Sequence, residues 1–264
     1  MRFRFLIVWL LATLIVRGQV TEADSPEVQR NREANARLSA LELAWQDHVK
    51  AWREEQVKAF EAAKASGDAI PAMRMSPPLG DFVARYQAAA MAYAGTDDAI
   101  PFLQWIAGQA FDQSAVDAAT DAIQTIMEHH HRSPKLADFP VVLGRLNGVL
   151  GKTKVAEYLA LIERDNPNGD TRAHAIIARV GRALSKAPLD SKDYQSARAE
   201  ALRAKGLARD EGLQARIQGQ VDERERLAVG AEAPDIEGVD LDGVAFKLSD
   251  YKGKVVLLDF WGDW

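Results

Sequence analysis

The sequence predicts a mostly α-helical protein that ends in a short β-rich segment. An apolar stripe with helical spacing runs through residues 26–66, Ala-rich helical stretches recur over residues 80–225, and after residue 227 the apolar period changes from 3.6 to 2. The composition, with 47% hydrophobic and 27% charged residues among 264, is that of a globular protein. We therefore expect a helical domain over residues 21–226 and a second domain beginning in residues 227–264.

The N-terminus has the order of a secretory signal. Two arginines precede an apolar stretch from Phe5 to Val16, and polar sequence follows it. This order predicts a signal peptide over residues 1–20 and export to the periplasm or cell envelope. The apolar stretch is shorter than the roughly 20 residues that cross a bilayer. Cleavage after Gly18 or Val20 is one expectation, and an uncleaved anchor, which would be the membrane contact of the chain, is the other.

Charge and cysteine content narrow the classes of partner. The formal net charge is -5 and the pI is about 5.6, so the sequence predicts no basic surface for a phosphate backbone and no nucleic-acid partner. The chain contains no cysteine. It therefore holds neither a disulfide nor a thiolate metal ligand, and no pattern in it implies a cofactor.

The first predicted element is one long helix over residues 26–66. Ser25 supplies an N-cap, and Pro26 suits the first helical turn. Apolar side chains lie on one stripe of this helix: Leu38, Leu41, Trp45, Val49 and Trp52. The stripe is typical of a core-facing surface, and a docking surface for a partner helix is the alternative.

Three similar segments follow, each opened by turn residues. They begin at Thr96, Ser133 and Thr171, 37 and 38 residues apart, and each continues as an Ala-rich helical stretch, a break and a second stretch. A period of this size built from helix pairs resembles a TPR-like solenoid, and an irregular helical bundle is the alternative. Residues 192–225 are again helical in composition but strongly charged.

The last segment has strand signals. Residues 239–248 predict two short strands around Leu241-Asp-Gly-Val. Val255 to Phe260 is a continuous apolar run, which predicts a buried central strand.

The motifs of this segment resemble one family. Gly230-Ala-Glu-Ala-Pro-Asp and Leu248-Ser-Asp-Tyr-Lys-Gly-Lys resemble sequences found in TlpA-like and ResA-like thiol-disulfide oxidoreductases and in AhpC/TSA-type peroxiredoxins. Phe260-Trp-Gly-Asp-Trp264 resembles the approach to Cys-Gly-Pro-Cys and favours the oxidoreductases. The resemblance implies that residues 227–264 begin an α/β thioredoxin-like domain, with a hairpin and the first core strand. It also implies dithiol-disulfide exchange with protein substrates.

The resemblance implies roles for three residues. Asp259 matches the position of a carboxylate that relays a proton to or from the resolving thiol, and Trp261 and Trp264 match the aromatic pair beside the active-site loop. Both cysteines of the motif would follow Trp264, so we expect a chain that ends there to be inactive. We also expect residues beyond about 230 to be loosely packed or to pack against the helical domain. A non-catalytic helical interaction module and an AhpC/TSA-type peroxidase remain the alternatives.

Three further patterns are judged not to form sites. The run His129-His-His131 lacks an acidic or cysteine partner at a ligand spacing, so no metal site is predicted. Gly148-Val-Leu-Gly-Lys-Thr153 lacks the first glycine and the preceding strand of a phosphate loop, and indicates a helix-to-helix turn. Asp240-Leu-Asp-Gly243 lacks the distal ligands of a calcium loop and indicates a hairpin turn.

Overall fold

A computed structural model describes residues 25–67, 69, 76–228, 231–240 and 242–259. The predicted signal peptide lies outside these residues, as do Trp261 and Trp264. The described residues divide into two compact units, one up to Trp105 and one from Ile106 onward. The described part of the chain is mostly helical, as the sequence predicts, with one small antiparallel sheet.

The described residues form ten α-helices and two β-strands. The helices are α1 (Pro26–Ser66), α2 (Phe82–Ala92), α3 (Ile100–Gly108), α4 (Val116–Thr125), α5 (Phe139–Arg145), α6 (Asn147–Leu150), α7 (Lys152–Asp165), α8 (Gly169–Lys186), α9 (Lys192–Leu207) and α10 (Glu211–Arg226). The strands are β1 (Glu237–Val239) and β2 (Ala245–Lys247), and a 3-10 turn covers Leu248–Tyr251. Among these helices, none combines the length and the apolar character needed to cross a membrane.

Helix α1 has local start and stop signals at both of its ends. The Ser25 hydroxyl accepts a hydrogen bond from the Val28 amide (3.3 Å), and Pro26 occupies the first turn. Gly67 ends the helix with a φ of 74°, a left-handed conformation that glycine adopts without steric cost. The helix spans the range that the apolar stripe predicts.

The stripe of α1 faces the interior of the first unit. Leu41 is buried. The Trp45 ring lies edge-on to Phe82 and to Trp105, with centroid distances of 5.1 and 5.5 Å. Tyr86 stacks on Trp105 at 3.9 Å and is fully buried. These ring contacts agree with the prediction of a core-facing stripe, since aromatic pairs in such geometries stabilise a core beyond their buried area.

The core of the second unit lies between α8, α9 and α10. Small side chains dominate the α9 face, which lets α8 approach closely. Gly169 lies against the end of α9, because a Cβ atom there would collide with the Leu207 carbonyl. The buried members of this core are Ala173, Ile176, Val180, Leu184, Tyr194, Ala197, Ala201, Ala204, Leu213, Ile217 and Val221.

A buried asparagine joins two turns of the second unit. Asn166, 2% exposed, follows α7. Its Nδ2 donates hydrogen bonds to the carbonyls of His131 (2.8 Å) and Ser133 (2.9 Å), and its Oδ1 accepts one from the Asn168 amide (2.9 Å). The side chain thereby connects the turn before α5 to the turn between α7 and α8.

The helical pattern of residues 192–225 is divided in the structure. Helix α9 ends at Leu207, and α10 begins after Asp210, whose Oδ1 accepts a hydrogen bond from the Leu213 amide (2.6 Å). The helices of the three predicted repeats differ in length, from 4 residues in α6 to 18 in α8. The TPR-like repeat and the domain boundary near residue 227 therefore stay predictions.

The β-hairpin is present, but the predicted core strand is not formed over its described residues. Residues 255–259 have no regular secondary structure and are exposed, with Leu257 92% exposed. A central strand needs hydrogen-bonded neighbours on both sides, and the sheet of the described residues contains β1 and β2 alone. None of the described residues after 230 is buried, in agreement with the prediction of loose packing.

Candidate functional site

The candidate site is the hairpin segment of residues 231–259, which carries the motifs noted in the sequence. Strands β1 and β2 pair antiparallel with Glu237 opposite Lys247, and these two side chains form an ion pair. Asp240 closes the turn, since its Oδ1 accepts hydrogen bonds from the amides of Asp242 (3.0 Å) and Val244 (2.8 Å). Its carboxylate therefore serves the turn, as the hairpin interpretation of this motif predicts.

The two motifs that carry the family resemblance contact each other directly. Asp235 ends the first motif, and Ser249 lies in the second, in the 3-10 turn after β2. The Ser249 amide donates to Asp235 Oδ1 (2.8 Å), and the Ser249 hydroxyl donates to Asp235 Oδ2 (2.8 Å). The backbone hydrogen bond, followed by the hydroxyl bond, lowers the pKa of Asp235 below its ordinary value. The hairpin thus holds the motifs together through a carboxylate that stays ionised.

A second acidic side chain fixes the end of the hairpin. Asp250 Oδ2 accepts a hydrogen bond from the Lys247 amide (2.8 Å), and so caps the 3-10 turn. Gly253, with a φ of 84°, turns the chain out of this element. The Lys254 ammonium lies 5.6 Å from the centre of the Tyr251 ring. These contacts give the second motif a fixed local conformation ahead of residues 255–259.

Of the three predicted site residues, Asp259 is the one that the structure describes. Asp259 is exposed and has no ion pair or hydrogen bond within the described residues. Trp261 and Trp264 lie outside those residues. The proton-relay role of Asp259 and the flanking role of the two tryptophans stay predictions that rest on the resemblance.

The structure also shows where the histidine run and the glycine-containing turn of the sequence analysis lie. His129 is exposed and His130 is buried, their ring centroids lie 6.4 Å apart, and His131 Nδ1 lies 2.9 Å from the Met127 carbonyl. Across the described part of the chain, no three His, Asp or Glu side chains are grouped as a metal site requires. Gly151 lies between α6 and α7, which confirms a helix-to-helix turn.

Sequence reasoning missed the pairing of Asp235 with Ser249. Both residues belong to motifs that the sequence singles out, but their contact depends on the hairpin register. The Leu248 amide donates a hydrogen bond to the Ile236 carbonyl (2.9 Å), and this bond extends the pairing of the two strands to the motif residues. A hairpin centred on Asp240 to Val244 places Asp235 and Ser249 opposite each other.

Comparison with curated proteins matches this chain to enzymes of one class, the thiol-disulfide oxidoreductases. The particular relatives are ResA proteins. ResA of Bacillus cereus is 45% identical over 47 residues, which are 18% of this chain and 27% of that protein. ResA of Geobacillus kaustophilus is 52% identical over 42 residues, 16% of this chain and 24% of the relative. ResA of Bacillus anthracis is 45% identical over 47 residues, 18% and 27% of the two chains.

The similarity is strong but short. The chain spans about a quarter of the length of these relatives. No family model and no solved structure matches the chain. The comparisons therefore connect one short stretch of this chain to the thiol-disulfide oxidoreductases.

Proposed function

We propose that this chain is part of an exported thiol-disulfide oxidoreductase of the TlpA-like and ResA-like kind. In this proposal a helical domain precedes a thioredoxin-like domain, which residues 227–264 begin. The observation that carries the proposal is the 45% identity to Bacillus cereus ResA over 47 residues. We infer that the matched stretch includes residues 230–264, because the motifs that resemble the family lie there.

The proposed reaction is dithiol-disulfide exchange with exported protein substrates. A cysteine thiolate attacks one sulfur of a substrate disulfide, the S–S bond breaks, and the other substrate sulfur leaves as a thiolate. A second cysteine thiolate then attacks the mixed disulfide and releases the reduced substrate. The enzyme ends as a disulfide, having supplied two electrons, and the reverse sequence oxidises a substrate dithiol.

Residues of this chain would support that reaction without performing it. Asp259 would accept the proton of the resolving thiol or return it, and Trp261 and Trp264 would pack beside the active-site loop. The nucleophiles are absent from the 264 residues, which contain no cysteine. We therefore expect the 264-residue chain by itself to show no exchange activity.

The test begins with the codons that follow Trp264. A Cys-x-x-Cys pattern there supports the proposal, and an immediate stop codon contradicts it. A Thr-x-x-Cys pattern would instead indicate the AhpC/TSA-type peroxidase. If the reading frame continues, the complete protein should accelerate insulin reduction by dithiothreitol, whereas the 264-residue chain should match the rate with dithiothreitol alone.

Export is a separate part of the proposal. It rests on the order of charge and hydropathy in residues 1–20. A fusion of these residues to alkaline phosphatase should give an active, exported enzyme. Retention of the fusion in the cytoplasm would contradict export while leaving the redox proposal intact.

The second candidate is a non-catalytic helical interaction module. It is favoured by the contrast between the buried core of α8, α9 and α10 and the described residues after 230, none of which is buried. In that case the helical part should fold and bind a partner without the C-terminal segment. A stop codon after Trp264, together with unchanged urea stability after removal of residues 231–264, would support this candidate.

A further inference from the structure

A groove with a volume of about 500 Å³ lies in the second unit, between α7 and α8 and beside the turn that joins α5 to α6. It belongs to neither the hairpin segment nor the proposed exchange chemistry. Its lining includes Lys152, Val155, Leu159, Ala178, Arg179 and Arg182.

The floor of the groove is apolar and elongated. Val155 and Leu159 of α7 are buried beneath it, and Ala178 of α8 faces them. Gly144 keeps α5 close to this floor, since a Cβ atom there would lie 2.9 Å from the Ala178 Cβ. The α7 side of the groove runs from Lys152 to Leu159, about 10 Å at 1.5 Å per residue. A floor of this length accommodates an extended segment of about three residues.

The charged side chains that line the groove are all cationic. Arg179 is already paired, because its guanidinium donates to Glu163 (2.9 Å) and Glu200 (2.8 Å). Lys152 and Arg182 have no ion-pair partner within the part of the chain that the structure describes. The groove therefore presents two uncompensated positive charges.

The topology places these two charges at the same end of the groove. Helices α7 and α8 form an antiparallel pair joined by Asn166-Pro-Asn168. Lys152 lies 14 residues before Asn166, and Arg182 lies 14 residues after Asn168. At this end α7 begins with Gly151 and without a side-chain cap, and its first turn contains no acidic residue. The positive end of the α7 dipole lies here beside the negative end of the α8 dipole, so the net positive charge of this end comes from the two side chains.

We propose that this groove binds an acidic segment of a partner polypeptide. An Asp or Glu carboxylate of the partner pairs with Lys152 and Arg182, and a neighbouring apolar side chain rests on Ala156, which is exposed, and Ala178, which is half-buried. Charge complementarity selects the carboxylate. The size of the groove favours a polypeptide over a compact inorganic anion, which would occupy only the cationic end and leave most of the volume of about 500 Å³ unfilled.

The test measures binding of a fluorescein-labelled peptide, Gly-Leu-Glu-Glu-Leu-Leu-Gly, to the 264-residue chain by fluorescence anisotropy. We expect saturable binding that weakens as salt rises, because exposed charges are screened. The double variant Lys152→Glu/Arg182→Glu should bind at least about tenfold more weakly. The matched control is Lys58→Glu/Lys64→Glu on α1, which makes the same change in net charge at exposed positions and should bind within about twofold of wild type.

Charge reversal provides the sharper comparison. A peptide with lysine in place of both glutamates should bind the Lys152→Glu/Arg182→Glu variant more tightly than wild type. If that variant is unfolded by circular dichroism, the neutral variant Lys152→Gln/Arg182→Gln replaces it and should weaken acidic-peptide binding at least about threefold.

Three results would overturn the proposal. They are an equal loss of affinity in the α1 control, equal wild-type affinity for the acidic and the lysine peptides, and no measurable binding of the acidic peptide. Inorganic pyrophosphate and unlabelled acidic peptide are also compared as competitors of the labelled peptide. If pyrophosphate displaces the labelled peptide at the same or a lower concentration than the unlabelled peptide does, the proposal is overturned, since that result indicates a site for compact anions. None of these results depends on the proposed exchange chemistry.

Discussion

Asn166 is expected to be a strong single contributor to the stability of the second unit. The perturbation is Asn166→Ala, which removes the amide group and leaves the backbone on either side unchanged. In the native chain this amide makes three hydrogen bonds, to the carbonyls of His131 and Ser133 and from the amide of Asn168. The side chain is 2% exposed. After the substitution, water can therefore reach the unpaired carbonyls of His131 and Ser133 and the Asn168 amide only if the structure rearranges locally.

The magnitude follows from these three bonds. Each hydrogen bond contributes about 0.5 to 1.5 kcal/mol net, and a buried polar group that loses its partner costs about 1 to 3 kcal/mol. Partial relaxation admits water to some of the groups, so we expect a total loss of about 3 kcal/mol. That is a large share of the roughly 5 to 15 kcal/mol that stabilises a typical protein.

The assay is urea denaturation followed by circular dichroism at 222 nm, with the free energy of unfolding extrapolated to zero urea. Asn35→Ala is the matched control, because Asn35 is exposed and its amide bonds only the neighbouring Asn31 side chain on α1 (3.0 Å). The control should change the free energy by less than about 0.5 kcal/mol. A loss below about 1 kcal/mol for Asn166→Ala, with an unchanged m value, would refute the reasoning.

Three further predictions concern single sites in the two units. Gly169→Ala should lower the free energy of unfolding by about 1 to 3 kcal/mol, because its Cβ would collide with the Leu207 carbonyl. Gly181→Ala, with open space around it, should raise that energy by up to about 1 kcal/mol, and equal urea midpoints for the two variants would contradict the close contact. Hydrogen bonds from two arginines lower the pKa of Glu200 to about 2 from its ordinary 4.5, so its stabilising charge is present above pH 4.5 and is lost as pH falls toward 2. Glu200→Gln should cost about 0.5 to 1 kcal/mol at pH 7, discounted for partial exposure, and urea titrations should show this difference shrinking below pH 4.5; a constant difference would contradict the assignment. Tyr86 is fully buried, and its hydroxyl has no hydrogen-bond partner within the described residues, so Tyr86→Phe should leave stability unchanged or raise it by about 1 kcal/mol. Burial raises the Tyr86 pKa to about 12 from 10.0, so wild type should lose stability between pH 10 and 12 and the Phe variant should lose less in thermal melts over that range.

The elements that sequence reasoning predicted well are those with local signals. Helix α1 follows from its apolar stripe, the Ser25 cap and Pro26 in the first turn, all of which act within one helix. The hairpin follows from Asp240 and Gly243, which form the turn from their own backbone and side-chain bonds. These features need no distant partner, so one sequence is enough to predict them.

The features that sequence reasoning missed depend on distant contacts. The strand predicted over Val255 to Phe260 has the right composition but no neighbouring strand among the described residues, so hydrophobicity alone did not produce it. Asn166 bonds residues 33 and 35 positions away, and no periodicity reports such a contact. The groove likewise depends on the packing of α7 against α8, because its two uncompensated cations lie 30 residues apart in sequence.

The contact between Asp235 and Ser249 helps to interpret the similarity to ResA, because it shows a structural role for the two motifs that resemble the family. The two motifs that these residues represent resemble sequences in both oxidoreductases and peroxiredoxins, whose chemistries differ, and here each motif supplies one half of a hydrogen-bonded hairpin. Because both motifs occur in families with different chemistries and here form the hairpin, they indicate a common local structure and do not indicate one reaction. The residues that separate the two families by resemblance are Phe260 to Trp264 and those that would follow, which lie beyond the hairpin. The hairpin contact therefore supports a scaffold common to both families, and it leaves the choice between their chemistries to the sequencing and activity tests of the proposed function.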